Sequence, residues 1–304
     1  MYDIVVVGGG PAGLTASLYV ARAGKSVMLL EANAFGGQIA TAPRVENYPS
    51  VNEIAGAELA NKMFEQAISH GVEFDMGTAK IEKTDTGFTV TTEYGSYECL
   101  SVVISTGVSH KKLGLASEQK LAGSGVCYCA VCDGAFYKNM PVCVVGDGNS
   151  AAQFALYLAE ICSEVYLLTM FDKLFCDREL TQRIIANDKV NWVQNVTVSD
   201  ILGDSKVQGV VYRDNDGAIT YLDVDAVFVA IGQVPHNEDF ANVVQLDDKG
   251  YIVAGEDCKT SCEGIFVAGD CRTKKIRQCT TAVGDGAVAG FSAAMYVDSI
   301  KLMK

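Results

Sequence analysis

The sequence predicts an α/β protein built from two strand–turn–helix–strand units, the second inserted into the first. Three observations predict it. "DIVVV" (3–7) runs into Gly8-x-Gly10-x-x-Gly13 and a helical stretch reaching Gly24. The same order recurs in "PVCVVGDGNSAAQFALYLAE", where Gly146-x-Gly148-x-x-Ala151 opens the helix and "EVYLL" follows it. Each unit also holds a buried strand ending in a tight turn, "SVVISTGV" (101–108) and "AVFVAIGQVP" (226–235), with no low-complexity linker between them.

In the first unit the second strand, "SVMLLE", ends in Glu31. Strand, glycine turn, helix, strand and acid together make a complete Rossmann-like dinucleotide-binding unit. The glycines let the backbone approach a pyrophosphate, and the helix N-terminus offers it free N–H groups. An acid at the strand end accepts the ribose hydroxyls. "GIFVAGD" (264–270) is a further buried strand ending in Asp270, and the closing helix is expected after Gly286. The expected domains are 1–113 with 237–304, and an inserted 114–236.

A chain of 304 residues with 49% hydrophobic and 20% charged residues is globular, with room for about two domains. Gly is frequent (30) and Pro scarce (5), as strand–helix turns require. The net charge of −13 argues against nucleic acid and anionic membranes as partners. No apolar run reaches membrane-spanning length, and "MYDIVVVGGG" enters a strand without a basic leader. A soluble, cytoplasmic protein is expected.

Eleven cysteines without a signal segment argue against a disulfide framework. Cys99, Cys143, Cys162, Cys176, Cys258 and Cys262 read as small core residues. Cys129-Ala-Val-Cys132 is different: two intervening residues allow a disulfide to close, and a helix start stabilises a thiolate. Asp133, next in sequence, is placed to exchange a proton with the leaving thiol. Cys127-x-Cys129-x-x-Cys132 also has the look of half a metal site. No second Cys pair or His pair completes it, so no metal is expected.

These residues resemble the low-molecular-weight thioredoxin reductases over essentially the whole chain. The shared pieces are "GGGPAG", "FGGQI", "ENYP", "STG", "CAVCDG", "GDGNSAA", "AIG" and "TSCEGIFVAGDCRTKKIRQ". The resemblance implies a two-domain FAD/NAD(P)-binding disulfide reductase fold, a homodimer, FAD in the first domain and thioredoxin as partner. It implies that Gly8, Gly10, Pro11, Ala12 and Gly13 form the pyrophosphate turn, with Glu31 on the ribose. Gly37, Gln38 and Asn47 would lie near the isoalloxazine, with Thr106, Gly107 and Gly269 also on the cofactor. Asp270 would face the ribityl-phosphate side, and Arg277 and Gln278 would close over the flavin. Cys132 would be the sulfur nearest the flavin, Cys129 the one that attacks the partner, and Asp133 the acid/base.

The second unit departs from the family. Glu31 lies 23 residues after Gly8, and the same count from Gly146 reaches Thr169. NADPH-dependent members carry His-Arg-Arg here and another Arg a few residues later. This chain has Thr169, Met170, Phe171 and Asp172, with Phe175 at the later position. Asp172 would repel a 2′-phosphate, and Asp147 sits within the glycine turn itself. Three explanations follow: NADH as donor, a dithiol oxidase, or loss of the nicotinamide site in favour of reduced ferredoxin. The last matches the ferredoxin-dependent flavin thioredoxin reductases of anaerobic bacteria and is preferred, because a flavin accepts single electrons and passes them on in pairs. An acidic carrier would dock on basic residues, and Arg272, Lys274 and Lys275 follow Asp270 directly, with Lys111 and Lys112 as weaker candidates. A redox sensor is the non-enzymatic alternative.

Overall fold

The computed structural model describes residues 1–42 and 45–302. The chain forms two units: 1–109 with 234–304, and 110–233. Its first part runs β1 (Tyr2–Val7), α1 (Pro11–Arg22), β2 (Val27–Glu31), α2 (Gly56–Ser69), β3 (Glu73–Met76), β4 (Lys80–Lys83), β5 (Phe88–Thr91), β6 (Ser96–Ile104) and β7 (Val108–His110). The inserted part runs α3 (Ala116–Lys120), β8 (Val126–Cys127), α4 (Ala130–Asp133), β9 (Pro141–Val145), α5 (Asn149–Ile161), β10 (Glu164–Leu168), α6 (Arg178–Ile185) and β11 (Val190–Val193). It continues through β12 (Val196–Leu202), β13 (Gly209–Asp214), β14 (Ile219–Asp223), β15 (Ala226–Val229) and β16 (Gln233–Pro235). The return adds β17 (Ile265–Val267) and α7 (Cys279–Leu302). β7 and β16, where the chain crosses between units, pair as a two-stranded ribbon. That pairing places the crossings a few residues before the boundaries expected from sequence.

The first unit's main sheet has the order β3-β2-β1-β6-β5-β4, with β17 also on β6. β6 holds it together. Its first half pairs antiparallel with β5, and its second half runs parallel to both β1 and β17. Parallel strands buried on both faces need continuous apolar runs, and Ile4, Val5, Val6, Leu29, Leu30, Val102, Val103 and Ile104 are all fully buried. The second unit repeats the design as an all-parallel sheet, β11-β10-β9-β15-β8, beside a small antiparallel sheet of β12, β13 and β14.

The closing helix begins earlier than expected. α7 starts at Cys279 and carries Gly284, Gly286 and Gly290 within its length. Glycine ordinarily weakens a helix interior by about 1 kcal/mol. Here it permits contact with α1: a Cβ on Gly286 would collide with the Ala12 carbonyl, and one on Gly290 with Ala16. Cys99, Cys143, Cys162 and Cys258 are buried as expected, whereas Cys176 and Cys262 are only half-buried. Among the described residues no helix is long and apolar enough to cross a membrane.

Candidate functional site

In the first unit the turn after β1 is shaped by close backbone approach. Gly8 has a left-handed φ of 105°, and a Cβ on Gly13 would collide with the Gly8 carbonyl. α1 starts with Gly10 as N-cap and Pro11 in its first turn, and no side chain caps it. Its first N–H groups are therefore left for a ligand. Glu31, at the end of β2, accepts from Gly9 N–H at 2.7 Å and Asn33 N–H at 2.8 Å, which fixes its carboxylate beside the turn. Gly37 lies close to Gly10, so that a Cβ on Gly37 would meet the Gly10 Cα at 3.2 Å.

Segments far apart in sequence also pair with one another in this unit. The Gln38 amide donates to the Val108 carbonyl. Asn47 Nδ2 donates to Gln278 Oε1 at 3.4 Å. Thr106 Oγ1 donates to Asn237 Oδ1 at 3.1 Å, just before Gly107 with its left-handed φ. Arg277 donates to the Asp270 carbonyl at 3.2 Å and stacks over the Tyr251 ring at 4.3 Å.

Asp270 follows Gly269 beyond the end of β17. Its Oδ1 is buried with no hydrogen-bond partner, and burial raises its pKa above the ordinary carboxylate value. A buried acceptor without a donor is costly in the free protein. A ligand hydroxyl is the kind of group that would satisfy it.

In the second unit Cys129 and Cys132 are joined as a disulfide, with Cα atoms 5.3 Å apart. Cys129 is the N-cap of α4, and its Sγ accepts the Cys132 N–H at 3.2 Å. Val131 between them is exposed, so the pair sits at the surface of its unit. Burial pushes the Asp133 carboxyl up to about 6, against the opposing effect of a hydrogen bond with Cys127.

The second glycine turn is covered by the chain's own backbone. Asp147 Oδ1 accepts from Phe171 N–H at 3.2 Å, and the Asp147 carbonyl accepts from Phe175 N–H at 2.7 Å. Phe175 forms a bridge to Gly148, and Asp177 N–H donates to Asn149 Oδ1 at 2.9 Å. Thr169 is fully buried; its hydroxyl donates to the Phe171 carbonyl at 2.8 Å and accepts from Trp192 Nε1 at 3.0 Å. Met170, Phe171 and Phe175 point to solvent, the two rings meeting edge to face.

The basic cluster expected to dock an acidic carrier is not available as such. Arg272 is buried and forks onto Asp285 at 2.8 and 2.9 Å, and Lys274 bonds the same carboxylate at 2.9 Å. A buried carboxylate draws its cations inward. Only Lys275 of the three is exposed.

The chain matches the family model described as pyridine nucleotide-disulphide oxidoreductase over residues 2–286. It is 41% identical to a thioredoxin reductase of Listeria monocytogenes, over 99% of this chain and 95% of that one. The chain belongs to the thioredoxin reductase family. The crystal structure of thioredoxin reductase from Streptococcus pyogenes superposes with a TM-score of 0.94 at 40% identity, covering 98% of this chain and 99% of that one. A ferredoxin-flavin thioredoxin reductase from Clostridium acetobutylicum gives a TM-score of 0.55 at 30% identity, covering 99% of each chain.

Thioredoxin reductases of this family are FAD flavoproteins, and the first unit fits that cofactor. The uncapped α1 and the close Gly10–Gly37 approach suit a pyrophosphate, and the orphaned Asp270 oxygen suits a ribityl hydroxyl. Three supporting residues escaped the sequence reading. Asp285 bonds Gly269 N–H at 3.0 Å as well as Arg272 and Lys274, and so pins the loop that carries Asp270. Asn237 is fully buried and donates to the Gly250 and Cys271 carbonyls. Ser105 donates to the Val7 and Gly8 carbonyls at 2.9 Å. The only signal for Asp285 was an acid between two glycines in the last helix.

Proposed function

We propose that the protein reduces thioredoxin, taking electrons from reduced ferredoxin through FAD and the Cys129–Cys132 pair. The thioredoxin half rests on the relatives, thioredoxin reductases that this chain matches over 95% and 96% of their length. The donor half rests on one observation, the folding of residues 169–177 over the second glycine turn. A nicotinamide dinucleotide needs backbone access at that turn and a side chain on its ribose. Both are already engaged: Asp147 and Gly148 by the 171–175 backbone, and Thr169 by Trp192 and Phe171.

When bound, FAD supplies the capacity to accept electrons singly and release them as a pair. Gly8, Gly10, Pro11, Ala12, Gly13, Glu31, Gly37, Gln38, Asn47, Thr106, Gly107, Gly269, Asp270, Arg277 and Gln278 would hold it. In the reduced pair, Cys129 attacks a sulfur of the thioredoxin disulfide, and Cys132 then displaces thioredoxin from the mixed disulfide. Asp133 takes a proton from a protein thiol and returns it to the departing sulfur. Of the basic residues expected to dock an acidic carrier, Lys275, and separately Lys111 and Lys112, are exposed and would steer it. A homodimer is supported by the exposed apolar stripe Val288, Phe291 and Met295 on α7, which a second copy would cover.

A nicotinamide nucleotide is the second reading. It is favoured by the higher identity to the Listeria and Streptococcus enzymes than to the ferredoxin-flavin enzyme. Anaerobic bleaching of the flavin by NADPH, NADH and reduced ferredoxin in turn separates the two. Rapid bleaching by ferredoxin alone is expected; rapid bleaching by either nucleotide would overturn the ferredoxin reading.

A further inference from the structure

Glu118, on α3, is 1% exposed and has no part in the exchange chemistry described above. Its Oε1 accepts from Leu113 N–H at 3.0 Å and its Oε2 from Gly114 N–H at 2.9 Å, which satisfies two backbone groups just ahead of the helix. A third donor comes from outside the helix. The Tyr128 hydroxyl, ten residues on, donates to Oε1 at 3.0 Å. The Tyr128 ring also stacks on His110, with centroids 5.2 Å apart and planes 24° from parallel. Tyr128 directly precedes Cys129, the extended N-cap of α4.

We infer that Glu118 is a positioning residue for the exchange site, holding Tyr128, and through it the backbone that presents Cys129, against the segment by which the chain enters the second unit. This rests on the reading of Cys129 and Cys132 as the exchange pair. Capping of α3 accounts for the bonds from Leu113 and Gly114 but not for the one from Tyr128. A charged acceptor makes that bond stronger than a neutral pair would be. Burial, and then the bond to Glu118, push the Tyr128 hydroxyl above its ordinary pKa, so it stays a donor through the neutral range. Leu113, Leu115 and Tyr128 pack on the same apolar cluster as Leu121 and Val126, so the entry segment and the strand leading to Cys129 share one core.

The grip on Tyr128 matters most when the disulfide is open. While it is closed, Cys132 holds Cys129 covalently. Once it opens, the bond from Cys132 N–H to Cys129 Sγ and the hold on Tyr128 take over that restraint. Two thiols kept close re-form their disulfide at a high effective concentration, because little freedom is left to lose. Glu118 and Tyr128 neither gain nor lose a proton in the exchange. Two protein thiols become one disulfide, the oxidant's disulfide becomes two thiols, and two electrons and two protons pass to it.

The test is anaerobic equilibration of the full-length flavoprotein with reduced and oxidised glutathione. Acid quenching, alkylation and mass spectrometry of the peptide carrying Cys129 and Cys132 then give the fraction closed. Tyr128→Phe keeps the ring, its stacking and both capping bonds, and loses the hydroxyl alone. It is expected to lower the effective concentration of the pair about 3- to 10-fold. Glu118→Gln is expected to lower it by a similar factor, and the double variant by no more than the larger single change, since the two share one bond. Thermal unfolding of each variant checks its fold. A wild-type effective concentration in Tyr128→Phe, or effects that multiply in the double variant, would overturn the inference. The readout needs neither an electron donor nor thioredoxin. If the wild type fails to reduce thioredoxin, the function proposed above falls and the glutathione factors still decide this inference. A wild-type pair that never exchanges with glutathione would bring down both.

Discussion

The Asp147 carboxylate accepts the Phe171 backbone N–H at 3.2 Å, so an acid within the second glycine turn fastens the segment that follows the next strand. Asp147→Ala removes that acceptor and leaves the Asp147 carbonyl and the Gly148–Phe175 bridge in place. A hydrogen bond to a charged acceptor contributes about 1.5–3 kcal/mol, less where solvent reaches it. Amide exchange at Phe171 is expected to quicken about 10-fold. Unchanged exchange at Phe171 would show that the bond does not hold the segment.

The unpartnered Asp270 carboxylate gives opposite effects in the free and loaded protein. Asp270→Ala removes a buried polar atom that burial already disfavours, so the apoprotein is expected to gain stability. The same change loses a charged acceptor for FAD, which weakens retention about 10- to 100-fold. FAD release followed by its fluorescence, together with apoprotein melting, checks both halves. Wild-type retention would remove Asp270 from the cofactor site.

Asp285 joins Gly269, Arg272 and Lys274. Burial works to raise its pKa, but the bonds from Arg272 and Lys274 outweigh that and lower it. A carboxylate whose folded pKa is depressed contributes stability that is complete above the ordinary carboxylate range and is lost as pH falls through the folded value. Asp285→Asn is expected to destabilise by about 3 kcal/mol near neutral pH, because it leaves two buried cations unpaired. The difference from wild type should shrink as pH drops below 4. Denaturant melts at pH 7 and pH 3 measure it.

Cys132→Ser is expected to leave the flavin reducible and to abolish turnover of thioredoxin. Asp133→Asn keeps both sulfurs but removes the proton carrier, for a loss of about 100-fold in exchange rate. Normal thioredoxin reduction by Cys132→Ser would end the assignment of the pair.

Phe291 stands 57% exposed on α7, between Val288 and Met295. Phe291→Glu is expected to convert a dimer to monomer in sedimentation, with the fold intact. A monomeric wild type would instead leave the stripe without that role.

Much of this was legible because it is local. The β1 run, the spacing of Gly8, Gly10 and Gly13, and the acid closing β2 are all written in consecutive residues. That the second unit has Thr169 where the first has Glu31 could be counted directly. Non-local chemistry could not be read the same way. Arg272 and Lys274 looked like a surface patch because the carboxylate that turns them inward lies on another element. Asp147 looked like an obstacle to phosphate, and only the fold shows it bonding the chain 24 residues on. Gly286 looked like a helix start because its partner, α1, begins near the other end of the chain.

That last contact carries a consequence for biosynthesis. α1, whose N-terminus faces the cofactor turn, lies against Gly286 and Gly290 of α7, and the Asp270 loop is pinned by Asp285 on the same helix. The ribosome therefore makes the glycine turn first and the elements that brace it last. The inserted unit, ending near residue 233, is complete before either brace exists. A nascent chain cannot close its flavin cradle until residues 285–290 have emerged, so cofactor loading is expected to follow completion of the inserted unit.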